Sequence, residues 1–231
     1  MVPLSFCPGP WALERTRMTG DVSSFQMAHA QEVDRILAKL FIWQAYDQTV
    51  KADLFSTGLE TSTGICLVDP ISLGLTALLD LEAQGKIARI FVTNANHTRA
   101  ARQFAATFRV PVFANATLRG DIDLADVTGV RDGEAFSGEL TGIAIEGGPA
   151  GEMALHFADD GGSMILGDAL INFEPHGFGL LPVKYCLDFK LMRQSLKKLL
   201  SFPFERMFFA HGTPILSDAH AGLEHLLAKS S

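Results

Sequence analysis

The chain has 231 residues, with 19 lysines and arginines against 26 aspartates and glutamates and a net charge of −7. Hydrophobic residues make up 48% and charged residues 19%, enough to bury a sizeable core and too balanced for a disordered or fibrous chain. An acidic chain without a basic block lacks the counterion-releasing surface that nucleic-acid binding needs, so nucleic acid is excluded as a partner. Three cysteines with no C-x-x-C pair fit a reducing compartment. No apolar run reaches the ~20 residues of a membrane helix, and the proline-broken start MVPLSFCPGPW makes a poor signal peptide, so a cytoplasmic protein with no membrane partner is expected.

Residues 1–30 show no sustained periodicity and read as a loosely ordered arm, leaving 31–231 as one domain. From Leu40 the runs KLFIWQAYD, KADLFSTGL and TGICLVDP are β-rich and separated by turn residues, which predicts an antiparallel meander. ISLGLTALLDLEAQGK follows as a helix whose apolar positions are Leu75, Leu78, Leu79 and Leu81, then ARIFVTN as a buried strand. HTRAARQFAATF places Ala101, Phe104, Ala105 and Phe108 on one helical face, and VPVFA is another strand.

The stretch 115–150 is rich in Gly and Asp, with short strand pieces. GEMALHFADD and GGSMILGDAL form a second β-series, in which His156 alternates with apolar neighbours as an outward or hydrogen-bonded histidine. INFEPHGFGLLPVKYC lacks a period and reads as a long loop, and the chain closes with a helix, the strand ERMFFAHG and a final helix.

Four strands end in polar residues, where open α/β sheets place their ligands: Asp69 in LVDP, Asn94, Asn96, His97 and Arg99 in FVTNANHTR, Asp168 in MILGDAL, and His211 in FFAHGTP. Singly, each has a structural explanation as a turn or cap. Their order, however, resembles the metallo-β-lactamase superfamily over residues 40–230.

The resemblance implies a four-layer αββα sandwich of α/β class with a site along one sheet edge. In that family Thr-His-x-His-x-Asp-His supplies metal ligands, and a Gly-His-Thr-Pro-Gly stretch supplies another. Here the first motif is Thr93-Asn94-Ala95-Asn96-His97-Thr98-Arg99 and the second corresponds to Gly147-Gly148-Pro149-Ala150-Gly151. Asn94, Asn96, Thr98, Arg99 and Gly148 therefore stand at ligand or base positions, and His97 at a position the motif leaves free. The family's bridging carboxylate matches Asp168, its closing histidine matches His211, and its supporting aspartate matches Asp69.

Amides are poor zinc ligands, so the resemblance implies a protein weak or inactive as a two-zinc hydrolase. Two arrangements follow. In one, Arg99 replaces the missing metal charge by pairing with Asp168, and no metal is bound. In the other, a single zinc or other divalent ion is held by Asp168, His211 and the off-register His97, with Glu152 or His176 assisting. Glu174 and His176 are expected to line the site from the long loop after Asp168. The family implies hydrolysis of an ester, thioester, lactone or phosphoester in a small-molecule substrate. The alternative is a non-catalytic binding or regulatory protein on the same scaffold.

Overall fold

The computed structural model describes residues 29–229 apart from 119–121, 123, 125 and 174–176. Sixteen strands and four α-helices run in the order β1 (His29–Ala30), β2 (Asp34–Leu37), β3 (Leu40–Asp47), β4 (Ala52–Thr61), β5 (Gly64–Val68), β6 (Ser72–Leu73), α1 (Leu75–Gln84), β7 (Ile87–Val92), α2 (Ala101–Phe108), β8 (Val112–Asn115), β9 (Val127–Val130), β10 (Glu134–Phe136), β11 (Leu140–Ala144), β12 (Met153–Phe157), β13 (Ser163–Leu166), β14 (Leu170–Phe173), β15 (Gly177–Leu180), α3 (Phe189–Leu196), β16 (Arg206–Phe209) and α4 (Ala219–Lys229). Seven strands form one sheet, in the order β2-β3-β4-β5-β7-β8-β9, and five form a second, β10-β11-β12-β13-β16.

Alternation along the central strands builds the layers. A strand sends successive side chains to opposite faces, so a strand buried on both faces is apolar throughout and feeds two cores. In β5, Ile65 and Leu67 pack outward with Ala77 and Leu81 of α1 and Ala101 and Phe104 of α2, while Cys66 and Val68 pack inward. In β13, Ile165 meets that inner layer, together with Leu155 of β12 and Phe208 of β16. Met164 and Leu166 face the other way, onto Met192 and Leu196 of α3 and Leu223 and Leu227 of α4. Helices thus cover both outer faces of two stacked sheets, giving the expected αββα sandwich.

Three readings of the sequence change. Helix α1 buries Ala77 and Leu81, whereas Leu75 and Leu79 are 75% and 55% exposed, so its apolar residues outnumber its contacts with the core. The segment after Asp168 is a hairpin rather than a loop, because β14 and β15 pair antiparallel from Leu170↔Leu180 to Phe173↔Gly177. His29 and Ala30 do not belong to an arm. They pair in parallel with Ser72 and Leu73, and Ala30 is buried. Residues 1–28 lie outside the described residues. No helix among the described residues is long and apolar enough to cross a membrane.

The sheets are tied together along one edge. The Phe55 N–H, in β4, donates to Ala210 O just past β16 at 3.0 Å, and the Met153 N–H of β12 donates to Thr93 O just past β7 at 2.8 Å. Every polar strand end singled out above lies on this edge.

Candidate metal centre

β5 is followed by Asp69, which takes a positive φ of 47°, a region that Asp tolerates better than most residues and that recurs at functional sites. The turn aims its buried carboxylate at the end of β7. There Oδ1 accepts from the Thr93 N–H at 2.8 Å and Oδ2 from the Thr93 hydroxyl at 2.5 Å. A short 3₁₀ turn, Ala95–His97, then brings the His97 ring over the same carboxylate, with Nδ1 3.0 Å from Asp69 Oδ2. His97 is therefore on the site although it falls off the motif's register, and it is buried.

Asp168 and His211 reach the same point by a different route. β13 and β16 pair in parallel with Leu166 opposite Phe209, and the Ala210 N–H extends the ladder to Leu166 O at 3.0 Å. Asp168 and His211 each lie two residues beyond that pair. The result is His97 Nε2 at 3.2 Å and His211 Nε2 at 3.5 Å from Asp168 Oδ1. One ligand atom from each of the three residues lies within 4.8 Å of the others.

The tautomers follow from the partners. His211 Nδ1 lies 3.2 Å from the Asp53 carbonyl, which can only accept, so Nδ1 carries the proton. His97 Nδ1 faces the Asp69 carboxylate, which also accepts the Thr93 hydroxyl proton, and is protonated for the same reason. Two imidazole Nε2 atoms thus converge on a carboxylate oxygen. Neutral, they would present three lone pairs to one another, an arrangement that requires a positive charge. His97 Nε2 and Asp168 Oδ1 are nevertheless buried without a hydrogen-bond partner.

A tetrahedral ion with ligand bonds of about 2.0–2.1 Å spaces its ligand atoms about 3.3 Å apart, so the two distances to Asp168 Oδ1 fit a metal. The carboxylate and carbonyl behind the imidazoles are the outer partners that orient histidine ligands.

Electrostatics record the same crowding. Burial opposes a charged imidazole at His97, but Asp168 and Asp69 outweigh it and hold the pKa up at about 9. At His211 burial wins over Asp168 and pushes the pKa down to about 4. Burial opposes ionisation of Asp168, yet His97, with help from His211 and Arg99, holds its carboxyl well below the usual range.

The opposite side of Asp168 is occupied by an amide. Asn94, fully buried, donates through Nδ2 to Glu152 Oε2 at 2.7 Å and to Asp168 Oδ2 at 3.1 Å. Glu152 is also buried, and its Oε1 accepts from the Ala169 N–H at 2.9 Å. Burial, reinforced by the charge of Asp168, pushes the Glu152 pKa up to about 8.

Other expected site residues do not join this group. Asn96 is exposed and is linked to it only through its backbone N–H, which donates to Asn94 Oδ1 at 2.9 Å. Arg99 does not pair with Asp168. Its guanidinium donates to the main-chain carbonyls of Phe55, Asp69 at 3.1 Å and Ala210 at 3.3 Å, and Asp168 feels it only as a more distant charge. Glu174 and His176 lie outside the described residues. His156 is satisfied by Pro203 O at 2.7 Å, away from the site. The sequence reading missed the contribution of Asp53, which acts through its carbonyl and leaves no trace in residue type.

Solved structures of similar fold include a metallo-beta-lactamase from Pontibacter korlensis, with TM-score 0.66, 16% identity and coverage of 86% of this chain and 99% of that one. A metallo-beta-lactamase family protein from Thermus thermophilus gives TM-score 0.64 and 18% identity over 84% of this chain and 80% of that one. A flavo di-iron protein variant from Thermotoga maritima gives 0.61 and 13% over 87% and 61%. No curated protein sequence matches the chain. The family model described as metallo-beta-lactamase superfamily matches residues 34–229, and it is to this superfamily that the chain belongs.

Proposed function

We propose that this chain is a single-metal member of the superfamily. One divalent ion, zinc or a first-row relative, is held by His97 Nε2, Asp168 Oδ1 and His211 Nε2, and the activity of a two-zinc hydrolase is weak or lost. The observation that carries this reading is the convergence of His97 Nε2, Asp168 Oδ1 and His211 Nε2, all within 4.8 Å of one another, with the first two buried 3.2 Å apart and without an aligned hydrogen bond. Such atoms cost free energy unless something binds between them.

Each residue has a task that follows from its contacts. Asp69 and Thr93 hold the His97 ring with its proton on Nδ1, the Asp53 carbonyl does the same for His211, and Asp168 supplies the negative charge. When bound, the ion supplies Lewis acidity and lowers the pKa of a coordinated water. Asn94, Asn96 and Gly148 leave the other metal position without imidazoles, and Thr98 leaves the motif without its aspartate. With His97, Asp168 and His211 between 2% and 9% exposed, the centre supports a binding or regulatory role better than rapid turnover of an ester, thioester, lactone or phosphoester.

Metal analysis of protein purified without chelator, followed by zinc, manganese and iron(II) titration, tests the reading. One equivalent of metal with little hydrolysis across those four bond classes is expected. Absence of binding by every metal would overturn it and favour a second reading, a metal-free polar core in which a proton on His97 balances Asp168. The elevated His97 pKa favours that alternative.

A further inference from the structure

Glu152 sits in a slot that two glycines make. A Cβ at Gly167 would come 2.7 Å from Glu152 Oε1 and 3.0 Å from Oε2, and one at Gly148 would come 2.9 Å from Glu152 Cγ. Real Cβ atoms essentially never approach a neighbour as closely as the shortest of these, so a side chain at Gly167 would displace the Glu152 carboxylate and one at Gly148 would displace the stem of Glu152 at Cβ and Cγ. Gly148 is the position where the motif carries a histidine, and Asn94 is the position of another. The space and the hydrogen-bonding capacity of two missing imidazoles are thus taken up by one Asn–Glu pair.

The backbone of Glu152 is fixed independently of its side chain. Its N–H donates to Pro149 O at 3.1 Å, and its carbonyl accepts from the Ile145 N–H at 2.9 Å and from Asn115 Nδ2 at 3.3 Å. From that anchor the carboxylate grips the Asp168 turn twice, directly at the Ala169 N–H and indirectly through Asn94, whose second amide hydrogen reaches Asp168 Oδ2. The two oxygens of Asp168 are thereby divided: Oδ2 is taken by an amide, and Oδ1 faces the imidazoles.

Resting on the single-metal reading above, we infer that Glu152 is a positioning residue. Acting through Asn94 and the Ala169 N–H, it turns Asp168 so that only one carboxylate oxygen is offered, and it limits the centre to one ion. Removing the grip frees Asp168 to rotate and to bind an ion through both oxygens or not at all. Partners of this kind behind a ligand typically change metal affinity by about 10–100-fold.

The test compares wild type, Glu152→Ala, Asn94→Ala and the double variant, with Glu152→Gln as a variant that preserves volume. Zinc affinity and stoichiometry are read by competition with a chromogenic chelator, and cobalt(II) visible spectra report the coordination number. Thermal melts of the chelator-treated proteins check that each variant folds. Expected are one equivalent for wild type, about 10–100-fold weaker zinc binding for each single alanine variant, and a double variant no weaker than the poorer single one, because the pair acts as a unit. The cobalt bands should weaken in the alanine variants as Asp168 becomes bidentate, and Glu152→Gln should fall between wild type and Glu152→Ala. Unchanged affinity and spectra in folded Glu152→Ala and Glu152→Gln, additive single effects, or two equivalents in wild type would overturn the inference while leaving metal binding intact. A wild-type protein that binds no metal overturns both this inference and the reading beneath it.

Discussion

Asp168 presents its two oxygens to different chemistries: Oδ2 lies 3.1 Å from the Asn94 amide nitrogen, and Oδ1 lies 3.2 Å from His97 Nε2 without forming a hydrogen bond to it. An aligned N–H···O bond at that point would complete the site with protein atoms alone. On the single-metal reading proposed above, an ion takes the place of that bond.

Thermal stability should therefore respond to metal. At a free concentration about 100 times Kd, specific binding adds about 2.7 kcal/mol, which for a chain of this size raises Tm by roughly 5–10 °C. Asp168→Ala should abolish the rise with zinc. A calorimetric scan with and without the ion checks both, and an equal rise in the variant would place the metal elsewhere.

The metal-free protein should lose stability as pH rises through neutrality. Glu152, raised from 4.5 to about 8, and His97, raised from 6.5 to about 9, both keep protons in the fold that the unfolded chain has released. Their contributions are complete below the unfolded values and are lost between pH 4.5 and 8 and between pH 6.5 and 9 respectively. His211, lowered from 6.5 to about 4, acts oppositely, losing stability as pH falls through that range. Between pH 6.5 and 8 only the first two act, with the same sign, at a slope on the order of 1 kcal/mol per pH unit. Denaturant unfolding in chelator should show the decline, and Glu152→Gln should flatten it.

Arg99 should behave as a staple and not as a substitute cation. Its three carbonyl acceptors lie at the ends of β5 and β16 and within β4, so Arg99→Ala strips partners from all three. The expected loss is about 2–3 kcal/mol, and Arg99→Lys should recover little, since an ammonium lacks the planar fork. The rise in Tm with zinc should persist in both variants. A variant that keeps wild-type stability but no longer responds to metal would contradict this assignment.

Gly212 should tolerate no side chain. It adopts φ +110°, and a Cβ there would lie 2.0 Å from Asn172 O, in the turn where the Thr213 N–H donates to that same carbonyl at 2.9 Å. Gly212→Ala must push β14 away from His211, with a cost of several kcal/mol by denaturant titration and a weakened metal response.

How much of this the sequence disclosed depended on whether a feature was local. Apolar runs such as ICLVD and SMILG announce doubly buried strands because their two faces feed two cores, and the order of polar strand ends carried the fold. Asp168 and His211 were legible because each follows such a strand directly. His97 was harder, since it stands off the motif's ligand register and is carried to the site by the Ala95–His97 3₁₀ turn. The direction of Arg99 was not legible at all: its acceptors are main-chain carbonyls at positions 55, 69 and 210, brought together only by the tertiary fold. The hairpin β14–β15 escaped because Gly177 and Gly179 interrupt the alternation that marks a strand.

The parallel pairing of β13 with β16 gives Asp168 and His211 a fixed ruler. The last pair of that ladder, Leu166 and Phe209, lies on adjacent strands roughly 4.8 Å apart and buried between two cores, and Asp168 and His211 each follow it by two residues. The ladder makes the Asp–His half of the centre a durable part of the sandwich, against which a histidine arriving out of register, such as His97, can still complete a three-atom cradle.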